Sequence, residues 1–280
     1  MTVTLRPKYV FRLPVYADSI CPDVFADKSL KEISELKLWE GNKQRTIGEL
    51  FDVQETPFDP DEDAVIRLVG DLQKVRTVGC NMSFGKLLIE GDIGMRLGEG
   101  MKGGEIIVKG NVDSWVGCMM EDGKIEIHGS AGDYVAAPYR GSTEGMKNGV
   151  IVIHGDAGNE VGCYMRNGMI SIEGNVGEFV GIHMRDGTIL VRGNCGGRTG
   201  AGMLDGKIII CGRVSSVLPT FTIDSVKSSV KADGEKIKGP FYRFTGDIAD
   251  QGKGKLYISK PLNPHLSFYE KYLQHESFRG

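Results

Sequence analysis

Between residues 66 and 212 the apolar positions come in pairs two residues apart, and each pair ends two residues before a glycine. Those glycines, Gly70, Gly91, Gly110, Gly129, Gly155, Gly174, Gly193 and Gly212, are spaced 21, 19, 19, 26, 19, 19 and 19 residues apart. Four residues ahead of them stand Ile66, Leu87, Ile106, Ile125, Ile151, Ile170, Ile189 and Ile208. Two ahead stand Leu68, Ile89, Val108, Ile127, Ile153, Ile172, Val191 and Ile210. Alternation with period two marks a strand with one buried face. From the second copy onward a further glycine precedes the anchor by six residues (Gly85 to Gly206) and a methionine precedes it by nine (Met82 to Met203). The unit reads G-x-x-M-x-x-G-x-I-x-V-x-G, with Thr143 in the place of the first glycine in one copy.

A fixed period of this length means one supersecondary unit stacked on the next. The expected fold is all-β, a right-handed parallel β-helix of about seven to eight 19-residue coils over residues 65–214. Segments 1–64 and 215–280 are expected to cap its ends or dock on partners. A 19-residue coil with three glycine corners leaves no room for a helix, and the strict six-residue period of a left-handed hexapeptide helix is missing. The glycines are read as corners that need positive φ, and the methionines as flexible filler. Among the flanks, Phe241–Phe244 and Lys255–Ser259 read as strands and Pro264–His275 as a short helix. Pro57, Asp59, Pro60, Asp61, Glu62 and Asp63 read as a linker into the first coil.

Two features point outward. The column three before the anchors faces away from the core, yet it holds Leu88, Ile107, Leu190 and Ile209. A soluble face this apolar is expected to lie under a terminal segment or a partner. The fourth coil carries seven extra residues near Pro138–Glu144, and inserts in solenoids project from one side and make contacts. Leu88, Ile107, Leu190, Ile209, Tyr139 and Arg140 are therefore the candidate partner contacts.

Charge and cysteine content narrow the function. With 34 basic and 37 acidic residues the chain is no polybasic nucleic-acid binder. It has no apolar run of membrane-spanning length and no signal-peptide layout at its start, so a cytoplasmic location is expected. The six cysteines form no C-x-x-C pair, which argues against a zinc or iron–sulfur site in this chain. His128 and His154, each one residue before an anchor, should neighbour one another on the outer face. Lys109 and Glu173 in the same column complete no ligand shell. Strings such as Gly91-Asp92-Ile93-Gly94 are followed by another strand, whereas a nucleotide loop needs a helix there. No catalytic, cofactor or metal residue is expected in this chain.

The repeats from Gly79–Gly91 to Gly200–Gly212, together with Leu5-Arg6-Pro7 and Gly252-Lys253-Gly254-Lys255-Leu256-Tyr257-Ile258, resemble the C subunit of formylmethanofuran dehydrogenase. They also resemble the C-terminal glycine-repeat domain of glutamate synthase. The first resemblance implies a non-catalytic subunit of a ferredoxin-dependent complex of methanogenic archaea that reduces carbon dioxide and fixes it on methanofuran. It implies four kinds of partner: a metallopterin formate dehydrogenase-like subunit, an amidohydrolase-like subunit, a small metallopterin-associated subunit and iron–sulfur subunits. Tungsten or molybdenum pterin, iron–sulfur clusters and a hydrolase metal centre would all reside in those partners. The C subunit of the bacterial formyltransferase/hydrolase complex shares the repeat and is one rival reading. A stand-alone β-helix enzyme acting on sugars is another, marked by turnover from the purified single chain. A glutamate-synthase-like module would copurify with amidotransferase and synthase partners.

Overall fold

The alternating aliphatic pairs become strands that lie on one another in register. The structure, a computed structural model, describes residues 2–56 and 66–273; the linker expected at Pro57–Asp63 and the last residues of the expected terminal helix fall outside them. In chain order the strands are β1 (Thr2–Pro7), β2 (Val15–Tyr16), β3 (Lys37–Glu40), β4 (Lys43–Thr46), β5 (Phe51–Thr56), β6 (Ile66–Val69), β7 (Val75–Arg76), β8 (Lys86–Glu90) and β9 (Glu105–Val108). They continue with β10 (Lys124–Ile127), β11 (Val150–Ile153), β12 (Met169–Ile172), β13 (Thr188–Val191), β14 (Lys207–Ile210), β15 (Thr222–Ala232), β16 (Glu235–Gly246) and β17 (Gly254–Ser259).

One 13-stranded sheet runs β15-β16-β17-β14-β13-β12-β11-β10-β9-β8-β6-β1-β5. From β6, through β8, to β14 each strand of this sheet pairs parallel with the next copy of the repeat, placing Ile125 on Ile106 and Ile151, and Ile170 on Ile151 and Ile189. Both aliphatic columns are fully buried from Ile66 to Ile210. A second ladder of parallel bridges links Leu72, Ile93, Val112, Ala131, Ala157, Val176, Cys195 and Val214. The parallel run extends past the periodic segment at both ends. Val3 and Leu5 of β1 lie on Ile66 and Leu68, while Leu256 and Ile258 of β17 lie on Ile208 and Ile210. Gly254-Lys255-Leu256-Tyr257-Ile258 thus stands on the rung after Gly206-Lys207-Ile208-Ile209-Ile210, although a long stretch of chain, including the whole β15–β16 hairpin, separates β14 and β17 in sequence. The expected strands at Phe241–Phe244 and Lys255–Ser259 lie within β16 and β17. Pro264–Tyr269 is a 3-10 helix followed by an α-turn at Glu270–Leu273.

Antiparallel strands close both ends. β5 pairs with β1, and the β15–β16 hairpin pairs with β17. A four-stranded sheet, β4-β3-β2-β7, ties the N-terminal segment to the first coil. Two short helices there begin with capping boxes, Ser29 with Glu32 and Thr46 with Glu49, which satisfy N-terminal amides.

The three glycine columns have different causes. The anchors from Gly110 to Gly212 keep ordinary φ, so the reading of every glycine as a positive-φ corner is wrong for them. From Gly129 to Gly212 each donates its N–H to the preceding anchor's carbonyl, as Gly129 does to Gly110 at 3.0 Å. The backbones approach so closely that a Cβ on Gly129 would lie 2.6 Å from the Gly110 oxygen. The column six residues earlier is left-handed, and it accommodates the methionines as well. A Cβ on Gly123 would lie 2.8 Å from Met101 Cε, and one on Gly168 2.9 Å from Met146 Cε. The methionines themselves are fully buried, so the Met and Gly columns recur together because each thioether fills the space left by the glycine of the next coil.

The third column exposes a misplacement. By spacing, Thr143 replaces the missing glycine of the fourth coil. In the structure that place is held by Ala136, with φ +62° between Gly117 at +59° and Gly162 at +71°. Ala136 donates to Val116 O at 2.8 Å, and Met146 returns to Ala136 O at 3.0 Å. The seven extra residues are therefore inserted after Ala136, and Thr143 belongs to the insert. Counting back from the anchor slides the frame across the loop, and only the hydrogen bonds restore it.

Candidate functional site

The outward face of the main sheet divides into two halves. Over the C-terminal half the hairpin lays Val230, Ala232, Ile237 and Phe241 on Met169, Leu190 and Ile209. Leu190 and Ile209 are 1% and 0% exposed. As candidate partner contacts they are corrected: the chain's own β15–β16 hairpin covers them. Arg192 pairs with Glu235 at 2.8 Å and Lys207 donates to the Lys231 carbonyl at 2.8 Å, pinning that hairpin. Leu88 is buried too, and Ile107 is half-buried between Leu88 and Glu126 in the cross-strand register.

Around Leu88 and Ile107 the outward face carries a run of charged side chains on β8, β9 and β10. Glu105 bridges Lys86 at 3.3 Å and Lys124 at 3.0 Å, and Lys124 reaches on to Glu126 at 2.8 Å. Glu126 Oε1 lies 3.2 Å from His154 Nε2 and 3.8 Å from His128 Nε2. The Lys124 ammonium, then the hydrogen bond with His154, hold the Glu126 carboxyl at a pKa of about 2, against an ordinary 4.5. A depressed carboxyl pKa contributes stability that is complete above pH 4.5 and lost as pH falls toward 2. With solvent screening at this partly exposed position discounted, the contribution is on the order of 1–3 kcal/mol. Glu126→Gln should therefore be less stable than wild type at pH 7, with the gap closing between about pH 4.5 and 2. Chemical denaturation across that range checks it; a constant gap would mean that this ionisation is not coupled to folding.

The insert after Ala136 builds the other distinctive surface. Tyr139 lies beneath the Arg96 guanidinium, 4.8 Å from ring centroid to Cζ, and its buried hydroxyl has no hydrogen-bond partner. Glu144 pairs with Arg166, fastening the far end of the loop. The loop walls a pocket of about 200 Å³ with Trp115, Tyr134, Tyr139, Arg140, Glu160 and Tyr164. Trp115 and Tyr134 stack at 4.4 Å, and Tyr164 stacks on His183 at 4.8 Å. Arg140 is exposed. A second, wider groove of about 860 Å³ runs between the hairpin and the turns that precede the strands. Asp122, Asn148, Asn167, Asp186 and Asp205 face Lys207, Lys227, Lys231 and Lys255 there.

Sequence reasoning missed two regularities that a wider column search reveals. Arg96, Trp115, Tyr134, Glu160, Phe179 and Arg198 stand five residues after successive anchors, all with positive φ, so bulky side chains line up on one corner. The residue just after the anchor forms a polar ladder. Asp92 Oδ1 accepts from Asn111 N, Asn111 Oδ1 from Ser130 N, and the series continues to Arg213 N. Short oxygen-bearing side chains satisfy amides at those corners.

The thiols point away from chemistry. All six cysteines are free, and burial pushes Cys21, Cys118 and Cys163 up to about 12 and Cys80 and Cys195 to about 11. A thiolate is the form that ligates metal and attacks electrophiles. Among the described residues, the group of three or more His, Cys, Asp or Glu side chains near enough to share an ion is Glu126, His128 and His154. No helix among the described residues is long and apolar enough to cross a membrane.

No model of a known protein family matches the chain. The C subunit of the tungsten-containing formylmethanofuran dehydrogenase 2 of Methanothermobacter thermautotrophicus is 51% identical over 265 residues, covering 94% of this chain and 98% of that one. Its namesake in Methanococcus maripaludis is 50% identical over 91% of this chain and 95% of its own length. The C subunit of the molybdenum-containing formylmethanofuran dehydrogenase 1 of M. thermautotrophicus is 45% identical over 98 residues, and the match spans 24% of that relative. Among solved structures, a chain in the crystal structure of the formyltransferase/hydrolase complex of Methylorubrum extorquens with methylofuran superposes with a TM-score of 0.81. That chain is 30% identical, with 91% of this chain and 99% of that chain covered.

Proposed function

Because the chain belongs to the family of formylmethanofuran dehydrogenase C subunits, we propose that it is the structural subunit of such a complex, a right-handed parallel β-helix that holds catalytic subunits at a fixed separation. The subunits it would join are a metallopterin formate dehydrogenase-like chain and an amidohydrolase-like chain. The small metallopterin-associated subunit and the iron–sulfur subunits complete the assembly. Tungsten or molybdenum pterin, the iron–sulfur clusters and the hydrolase metal centre belong in those partners. The observation that supports this reading is the unbroken parallel run from β1 through β14 to β17. Coils hydrogen-bonded only to their neighbours, with a buried aliphatic core throughout, make a stiff body whose two ends move together.

Native purification with identification of every copurifying chain tests the proposal. A metallopterin protein and an amidohydrolase-like protein should accompany this one. Turnover by the isolated chain would overturn it. The likeness to a chain of the formyltransferase/hydrolase complex favours one alternative, membership of an assembly without carbon dioxide reduction. Copurifying iron–sulfur and metallopterin subunits decide against that alternative.

The insert is the surface we assign to a partner. Arg140 is exposed and borders the aromatic pocket, and Arg beside aromatic residues is the composition of interface hot spots. Arg140→Glu should weaken retention of a partner in pull-downs by about tenfold or more while leaving the melting temperature of the chain unchanged. Full retention would remove the insert from the interface.

A further inference from the structure

The outer face of β10 and β11 brings together three donors whose types and spacing match a metal site. Ile127 pairs with Ile153 in the parallel register, so the residues that follow, His128 and His154, stand side by side with ring centroids 5.2 Å apart. Glu126 precedes His128 by two residues and so projects from the same side of the strand. One ligand atom from each of the three residues lies within 4.8 Å of the other two. Tetrahedral zinc with bonds of about 2.0–2.1 Å places its donors roughly 3.3 Å apart. The observed separations of 3.2 and 3.8 Å from Glu126 Oε1 bracket that value, and small rotations of exposed imidazoles close the set.

We propose that Glu126, His128 and His154 bind a borderline divalent transition-metal ion, of which Zn²⁺ is the type, on the surface of the main sheet. The donor chemistry selects the class: imidazole nitrogens suit Zn²⁺, Ni²⁺ and Cu²⁺, whereas Ca²⁺ and Mg²⁺ require an all-oxygen shell. The two carboxylate oxygens are divided. Lys124 Nζ holds Oε2 at 2.8 Å and also bonds Glu105, which fixes the carboxylate plane and leaves Oε1 toward the imidazoles. An outer partner of this kind orients a ligand. Three protein ligands leave one position of a tetrahedral ion open. With His128 and His154 side chains 41% and 43% exposed, that position faces outward, to water or to a donor from a neighbouring molecule. The histidine column itself offers only Lys109 and Glu173 beside the two imidazoles. Period-two alternation places the third ligand instead on the same strand as His128.

Calorimetric titration of the full chain, prepared without a histidine tag, with Zn²⁺ tests this, with Co²⁺ as the spectroscopic probe. A single saturable ion per chain and visible ligand-field bands of Co²⁺ are expected. His128→Ala and His154→Ala should each lower the affinity at least about tenfold, since loss of even an outer-shell partner costs ~10–100-fold. The double variant should abolish binding, Glu126→Gln should weaken it, and His183→Ala, stacked on Tyr164 elsewhere, should leave it unchanged. Circular dichroism confirms that the exposed histidine variants remain folded. Absence of saturable binding up to about 1 mM, binding that survives the double variant, or equal loss in His183→Ala would each overturn the site.

Discussion

A chain carrying Ile172→Asp is expected not to fold. Ile172 is fully buried and lies between Ile153 and Val191 in the stack. A carboxylate there has no partner, and burying it unpaired costs several kcal/mol even after protonation, against a folding free energy of about 5–15 kcal/mol. Ile172→Ala is the graded version: lost transfer energy plus the cavity should cost about 2–5 kcal/mol. β12 pairs with β11 and β13, so amide exchange in the alanine variant should rise first in β11 to β13. Denaturant titration and thermal melting measure both variants. Unchanged melting in the two together would contradict a continuous buried ladder.

The second large effect comes from adding a single carbon. Gly129→Ala places a Cβ 2.6 Å from the oxygen and 2.7 Å from the carbonyl carbon of Gly110. Both are backbone atoms fixed by the hydrogen bonds that join the coils, so neither can yield as a side chain would. The expected cost is about 3 kcal/mol, the upper end of the overpacking range. Gly197→Ala is the control. Its Cβ would meet nothing nearer than Ser215 Oγ at 3.7 Å, with ordinary φ, so it should change stability by less than about 0.5 kcal/mol. If the two variants melt together, close approach of the coils is not what demands glycine at the anchors.

The same contrast separates what was legible in the chain from what was not. Aliphatic pairs two residues apart, repeated every 19, determined which side chains go inside and which residue pairs with which. A parallel register is a translation along the stack, and translation appears in sequence as a period. The methionine and glycine columns were visible for that reason. Their mutual fit, Met101 Cε against the place of a Gly123 side chain, was not, because it joins two columns across neighbouring coils.

What lacks a period had to wait for the tertiary structure. The strands at β1 and β17 continue the stack, yet each reaches its neighbour across a long stretch of chain without repeat. The insert shifted the frame, and backbone hydrogen bonds rather than spacing assigned Ala136 to the glycine column. Leu190 and Ile209 read as open surface until the hairpin closed over them, since nothing local records where a distant β-hairpin folds back. Glu126 stands beside His128 by alternation along one strand, and only its 3.2 Å approach to His154 across neighbouring strands had to come from the structure. Local alternation sets burial along each strand; the choice of what lies on the outer face belongs to long-range packing, whose pairing leaves no periodic trace in the residues it joins.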